Sequence, residues 1–175
     1  MSGEPSLSLA ERIVLAILGE RPAHGFAIAR LTAAGGDLGR IWQIPRPVIY
    51  RSITRLLEAG LLTQDAVESG RGPQRTLYAV TPEGRRLAEE WLDTPVEHVR
   101  DVRSHLLLKL ALLDRSGADP GDLLVAQHAL MVPIASALRD RVTTATGFDR
   151  ALVLWRYETV SATIRFLDAL VPTPP

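Results

Sequence analysis

A predicted helix carries the side chains best suited to bind an anionic polymer. It begins near Pro45 and ends before Gly60, and its apolar residues recur at helical spacing, which leaves a second face rich in arginine and hydroxyl groups. An arginine can donate two parallel hydrogen bonds to a guanine edge or to a phosphate. A merely solvated helix face is the alternative interpretation. The candidate DNA-binding residues of this helix are Arg46, Pro47, Tyr50, Arg51, Thr54 and Arg55.

The hairpin that follows adds a second basic group. Two segments suited to β-strands, Leu61–Val67 and Thr76–Val80, flank a stretch with two glycines, a proline and two arginines. An arginine that neutralises a phosphate makes binding dependent on salt. The candidate DNA-binding residues here are Arg71, Gly72 and Arg75. The alternative is a surface loop whose charges only keep the protein in solution.

The charge of the chain is zero overall but uneven along its length. Residues 40–75 hold six arginines against three acidic residues, a local excess of +3 in a sequence with 20 basic and 20 acidic residues. A basic patch on a neutral protein is sufficient for a small DNA-binding domain. The zero total nevertheless argues mildly against nucleic-acid binding, so a second interpretation stays open.

The sequence gives little support for a metal site or for catalysis. The sequence has no cysteine, which excludes a disulfide scaffold, a cysteine zinc site and a thiol nucleophile. His98, Asp101 and His105 have a spacing that places them on one helix face, but Arg100 and Arg103 lie among them and disfavour a bound cation. We therefore expect no metal, no cofactor, no catalytic residue and no enzymatic activity.

The order of the elements predicts a winged helix-turn-helix domain over residues 1–93. Ser8 and Glu11 have the spacing of a capping box at the start of the first helix. Thr81 and Pro82 are suited to begin the fourth helix as N-cap and first residue. Three helices followed by a two-stranded hairpin is the winged-helix order, in which the third helix enters the major groove.

Residues 94–175 are predicted to form a helical dimerisation domain, so that the whole chain is mainly α. Apolar side chains on the last helix alternate at spacings of four and three, as in the heptad seam of a coiled coil. The predicted dimerisation residues are Val153, Tyr157, Val160, Ile164 and Leu167.

Localisation is expected to be cytoplasmic. No apolar run approaches the roughly 18 residues needed to span a bilayer. The first residues also lack the cationic and apolar regions of a secretion signal. No membrane is therefore expected among the partners.

An ordered series of short motifs extends from the first helix through the hairpin to the fourth helix. The series comprises Leu15–Gly19 (LAILG), Pro22–Phe26 (PAHGF), Val48–Arg51 (VIYR), Arg55–Leu62 (RLLEAGLL), Gly70–Pro73 (GRGP) with Arg75 and Tyr78, and Val80–Arg85 (VTPEGR). In these motifs the N-terminal 93 residues resemble the PadR family of bacterial transcriptional regulators. That resemblance implies a winged-helix domain, a C-terminal helical dimerisation domain and repression relieved by a small molecule. The family's pattern places a Ser-Pro or Gly-Thr pair before its tyrosine, whereas this sequence has Pro45, Arg46 and Pro47, so the operator sequence does not follow from the resemblance.

The expected function is that of a dimeric, sequence-specific DNA-binding regulator, a repressor that a small-molecule effector releases. A two-fold dimer doubles the contacts of one domain and reads an inverted repeat in double-stranded DNA. Trp42, Trp91 and Trp155 could line the effector pocket or could be core and dimer anchors. The alternative function is a winged-helix protein-interaction module that does not bind DNA.

Overall fold

The N-terminal part of the protein consists of four helices and a small sheet. The structure is a computed structural model that describes residues 6–68 and 75–170, without the side chains of residues 65–68 and 75. The elements in chain order are α1 (Leu9–Glu20), β1 (Ala23–His24), α2 (Gly25–Leu31), α3 (Arg46–Glu58), β2 (Leu62–Glu68), β3 (Arg75–Val80) and α4 (Pro82–Asp93). The described fold is mainly helical and of the winged helix-turn-helix class, as the sequence predicted.

Helices dominate the described residues that follow, up to Leu170. A short α5 (Val99–Asp101) leads through a π-helical turn (Val102–Leu106) into α6 (Leu107–Ser116), and α7 (Gly121–Thr144) and α8 (Gly147–Leu170) follow. Helices α7 and α8 pack against each other over their length and form a hairpin. Gly117 ends α6 with a φ of 73°, a left-handed conformation that glycine adopts without a steric penalty.

Local hydrogen bonds explain where α1 and α4 begin. The Ser8 hydroxyl accepts a bond from the Glu11 amide at 3.3 Å, and the Glu11 carboxylate accepts one from the Ser8 amide at 2.7 Å, which completes the predicted capping box. The Thr81 hydroxyl accepts a bond from the Gly84 amide at 3.1 Å. These bonds satisfy backbone amides that have no partner within the helix.

The sheet has one strand more than the sequence predicted. Its order is β1-β3-β2, and both pairings are antiparallel. The additional strand β1 is only two residues long, and the Thr76 carbonyl on β3 accepts a hydrogen bond from Nδ1 of His24 at 3.0 Å. His24 therefore joins the segment before α2 to strand β3 of the hairpin.

The first hydrophobic core lies beneath α3. Helix α1 contributes the largest share, and α3 adds Ile49, Ile53 and Leu56, all at most 2% exposed. Leu108 and Leu112 of α6 are buried in the same core, although they lie beyond residue 93. The C-terminal helices thus pack directly against the winged part.

A second core lies among the C-terminal helices, and it includes Leu106 at the end of the π-helical turn and Leu113 of α6. The segment between α4 and α5 is attached to this core by a buried amide. The Val96 amide donates to Oε1 of Gln127 at 2.7 Å, and Nε2 of Gln127 donates to the Val96 carbonyl at 3.0 Å. The buried amide side chain thereby has both of its polar ends satisfied.

The predicted heptad seam of α8 is largely buried inside a single chain. Val153, Val160 and Leu167 are at most 3% exposed, and Val160 and Leu167 belong to the second core. Tyr157 and Ile164 are half-buried. The heptad spacing therefore identifies the face of α8 that packs within the chain itself, and its three most buried residues leave little surface for another chain. A role of this face in dimerisation stays a prediction.

Helix α7 is more apolar than the sequence analysis predicted for any segment of the chain. Among the described residues it is the one helix long and apolar enough to cross a membrane by length and composition, with a mean hydropathy of 1.3 over its most apolar stretch. The expectation that no run approaches this length is wrong, because the charged residues of α7 gather at its two ends. Only 22% of that stretch is buried in the protomer. Length and composition are shared by membrane-spanning and protein-packed helices and do not distinguish them.

Candidate nucleic-acid interface

Helix α3 is divided lengthwise into a buried and an exposed face. Ile49, Ser52, Ile53 and Leu56 are buried. The opposite face holds all six residues that the sequence singled out, and each of them is exposed: Arg46, Pro47, Tyr50, Arg51, Thr54 and Arg55. The arrangement presents three guanidinium groups, a phenol and a hydroxyl on one accessible surface. Hydrogen-bond donors of this kind suit phosphate oxygens and base edges.

Arg46 is held by aromatic rings at the start of α3. Its guanidinium carbon lies 5.3 Å from the centre of the Phe26 ring and 5.5 Å from the centre of the Tyr50 ring. Nη2 of Arg46 also donates to the Tyr50 hydroxyl at 3.4 Å. The sequence identified Arg46 and Tyr50 but not Phe26, since a single exposed aromatic residue has no spacing that distinguishes it.

Helices α2 and α3 pack against each other at Gly25, the first residue of α2. A Cβ atom on Gly25 would lie 3.0 Å from Cε1 of Tyr50 and 3.2 Å from Cδ1 of Ile53. A side chain at position 25 would therefore be crowded by Tyr50 and Ile53, and glycine allows α2 and α3 to pack this closely. Gly25 therefore belongs to the construction of the interface although it is itself buried.

Arg55 is also tied to α1. One of its terminal nitrogens lies 3.6 Å from Oε1 of Glu11, the buried carboxylate of the capping box. The Arg55 side chain nevertheless remains 64% exposed, so it can turn part of its donors outward. The Thr54 hydroxyl donates to the Tyr50 carbonyl at 3.1 Å. The lone pairs of that hydroxyl oxygen can still accept a hydrogen bond.

The hairpin tip lies outside the described residues. Arg71 and Gly72 fall there, and Arg75 begins β3 with a side chain that is not described. Their predicted contacts to DNA therefore stay predictions.

A cavity of about 450 Å³ lies where α1, α4, α5 and α6 meet. Arg12, Trp91, Asp101, His105 and Lys109 line it. Lys109, the one lysine of the sequence, is buried, donates to the Thr94 carbonyl and lies 5.1 Å above the Trp91 ring. Burial lowers the pKa of Lys109 to about 8, and the nearby Arg12 guanidinium acts in the same direction while Asp93 opposes it.

This depressed pKa predicts how stability varies with pH. The pKa of Lys109 is about 8 in the fold and 10.5 for an ordinary lysine, so between these values the unfolded chain binds more protons than the folded one. The free energy of unfolding should therefore rise with pH across this window, by at most about 1.4 kcal/mol per pH unit. Urea denaturation of the wild type and of Lys109→Met, between pH 7.5 and 10.5, measures it. A stability difference between the two proteins that does not change with pH would contradict the assignment.

The structure also places the residues of two further hypotheses, the metal site at His98, Asp101 and His105 and the effector pocket at the three tryptophans. The Asp101 carboxylate lies 3.9 Å from Nε of Arg100 and 3.9 Å from Nδ1 of His105, and the described residues contain no group of histidine and acidic side chains that could hold a metal. Of the three tryptophans, Trp91 lines the cavity, whereas Trp42 and Trp155 are 45% and 69% exposed.

Comparison with solved structures returns PadR proteins over most of the chain. A crystal structure of Bacillus subtilis PadR in complex with operator DNA is 19% identical, with 94% of this chain and 98% of that chain covered and a TM-score of 0.48. The PadR-like transcriptional regulator BC1756 from Bacillus cereus is 18% identical, with coverages of 97% and 96% and a TM-score of 0.44. Bacillus subtilis PadR in complex with p-coumaric acid is 16% identical, with coverages of 93% and 96% and a TM-score of 0.45.

Comparison at the level of sequence identifies the family. No curated protein matches the chain. The model of the transcriptional regulator PadR-like family, however, matches residues 14–90, which contain α2, α3 and the hairpin together with most of α1 and α4. The winged helix-turn-helix part of the chain thus matches the transcriptional regulator PadR-like family.

Proposed function

We propose that the protein is a homodimeric, sequence-specific DNA-binding repressor whose operator is an inverted repeat. The observation that carries the proposal is the exposed face of α3, where every polar residue predicted to bind DNA is accessible while the opposite face is buried. The proposed contacts are Arg46, Pro47, Tyr50, Arg51, Thr54 and Arg55 on α3, and Arg71, Gly72 and Arg75 at the hairpin. In this proposal the domain boundary lies between residues 93 and 94.

A binding titration tests the proposal. The wild type should select a preferred sequence from a pool of random duplexes, and its affinity for that duplex should fall steeply as salt increases. We expect Arg51→Ala to weaken this binding by about tenfold, as the loss of one well-placed arginine contact does. Arg100→Ala is the matched control, since Arg100 is a 78% exposed arginine outside the winged part. Equal binding by both variants would contradict the assignment of α3.

Exposed apolar residues on α7 and α8 support the homodimer. Phe148 and Trp155 of α8 are 80% and 69% exposed, and Val125 and Val132 of α7 are 63% and 43% exposed. Each pair is seven residues apart and so shares one face of its helix. Exposed large apolar side chains that share a helix face suit an interface. A second copy that covers these faces would supply the second α3 helix that an inverted repeat requires.

Release by a small-molecule effector is proposed for the 450 Å³ cavity. An effector can shift DNA binding only if it binds the DNA-competent and incompetent arrangements with different affinity. The cavity is suited to this because its lining combines α1 and α4 of the winged part with α6 of the C-terminal part. The Trp91 ring and the cationic Arg12 and Lys109 offer a small aromatic acid one aromatic face and two positive charges, although Glu90, Glu97 and Asp101 line the same cavity. Titration of such acids in a thermal-shift assay, with Lys109→Met as the control, measures the binding.

The alternative function is a winged-helix module that binds proteins instead of DNA, and the zero net charge favours it. Failure of the wild type to select any duplex at low salt would support that alternative. A DNA-binding repressor acts where the chromosome is, and we therefore propose a cytoplasmic location.

A further inference from the structure

Phe26 is a large aromatic residue on the surface of α2 that contributes little to either core. It is 55% exposed, whereas its neighbours Gly25, Ile28 and Ala29 are buried. Its ring instead faces the guanidinium group of Arg46, at 5.3 Å. A guanidinium group over an aromatic face is attracted by the negative potential of the ring, which holds the cation near that position.

Arg46 contacts two rings that come from two different helices. Tyr50 lies one helical turn further along α3, with its ring centre 5.5 Å from the guanidinium carbon and its hydroxyl 3.4 Å from Nη2. The Tyr50 ring packs over Gly25, the residue directly before Phe26, where an added Cβ would lie 3.0 Å from Cε1 of the ring. Both rings thus lie beside the Arg46 guanidinium where α2 and α3 pack against each other.

We propose that Phe26 is a positioning residue for DNA binding, which together with Tyr50 holds the Arg46 guanidinium in place to donate to acceptors on the duplex. This inference rests on the proposed function and adds to it a residue that does not itself need to contact DNA. The guanidinium group engages one donor with Tyr50, and its other N–H groups stay available. A side chain that is already held loses less conformational freedom when it binds.

A double-mutant cycle tests the inference on the duplex that the wild type selects from a random pool. Phe26→Leu keeps an apolar side chain without a ring, and we expect it to weaken binding about two- to fivefold, the effect of one exposed cation–π contact. Phe26→Tyr restores the ring and should restore the affinity. In an Arg46→Ala background, Phe26→Leu should have no further effect, because the group that it positions is gone. Equal weakening in both backgrounds, or no rescue by Phe26→Tyr, would overturn the inference.

A measurement without DNA separates this inference from the proposed function. NMR relaxation of the Arg46 Nε–H group should report a restricted side chain in the wild type and in Phe26→Tyr, and a mobile one in Phe26→Leu. Equal mobility in all three proteins would reject the positioning role even if the protein binds DNA. A restricted Arg46 in a protein that selects no duplex would instead overturn the DNA-binding proposal and, with it, the purpose assigned to the contact.

Discussion

Trp155→Asp is expected to dissociate the proposed homodimer and to abolish tight binding to an inverted-repeat duplex at the same protein concentration. Trp155 is 69% exposed in the protomer and shares a helix face with Phe148. A buried tryptophan at an interface commonly contributes at least 2 kcal/mol, so the dissociation constant of the dimer should rise by roughly 30-fold or more. Sedimentation velocity measures the assembly, and a titration with the selected duplex measures the binding.

Two further variants show which face of α8 is involved. Trp155→Phe keeps an aromatic ring and should preserve the dimer. Val160→Asp places a charge at a site that is 2% exposed within one chain, and it should lower the free energy of unfolding of the protomer itself. A dimer that survives Trp155→Asp unchanged would locate the interface elsewhere on the molecule.

Gly39→Ala is expected to lower the free energy of unfolding by about 3 kcal/mol or more, near the upper end of single substitutions. An added Cβ would lie 1.7 Å from the carbonyl oxygen of Ala33 and 2.5 Å from its carbonyl carbon. These are backbone atoms, so relief of the overlap requires the loop between α2 and α3 to move. That loop holds Leu38, which is fully buried, and leads directly into α3.

Gly35→Ala is the matched control for this prediction because it lies in the same loop. A Cβ at Gly35 meets no atom within 4 Å. Its effect on the free energy of unfolding should stay within about 0.5 kcal/mol, as for most surface substitutions. Chemical denaturation of both variants gives the comparison, and similar stabilities for the two would contradict the packing argument.

The sequence predicted those features that depend on local chemistry. The capping box of Ser8 and Glu11 is a hydrogen-bond pattern between residues three apart, so the sequence contains both partners. The two faces of α3 follow from the helical period, because burial of Ile49, Ile53 and Leu56 leaves Arg51 and Thr54 on the outside whatever the helix packs against.

Features that depend on distant partners were not predictable in the same way. Strand β1 exists because two residues pair with β3, more than fifty residues away. A segment of two residues is too short to show the alternating pattern by which a strand is recognised in a sequence. The heptad spacing of α8 correctly identified a helix with one apolar face, but such a spacing does not indicate what packs on that face. It does not distinguish a neighbouring helix of the same chain from one of another chain, and α7 occupies the face that includes Val160 and Leu167.

The clustering around Arg46 belongs to the same class of long-range features. Phe26 and Arg46 are twenty residues apart on different helices, and only the angle between α2 and α3 brings them together. Arg115 is a second example, since it contacts Glu20 at 3.1 Å and Asp37 at 3.3 Å and so connects α6 with α1 and with the loop before α3. Ion pairs between distant residues have no signature in the spacing of either partner.

Because α6 and the turn before it contribute to both cores, they limit how the two halves of such a protein can change in evolution. Leu108 and Leu112 fill the core beneath α3, while Leu106 and Leu113, on the same continuous helical segment, fill the core of the C-terminal helices. An exchange of the C-terminal half with that of a relative would therefore replace side chains inside the winged half as well. The two halves are not interchangeable parts, and a recombinant that joins them at residue 93 would inherit a mismatched interior unless α6 came from the same parent as α1.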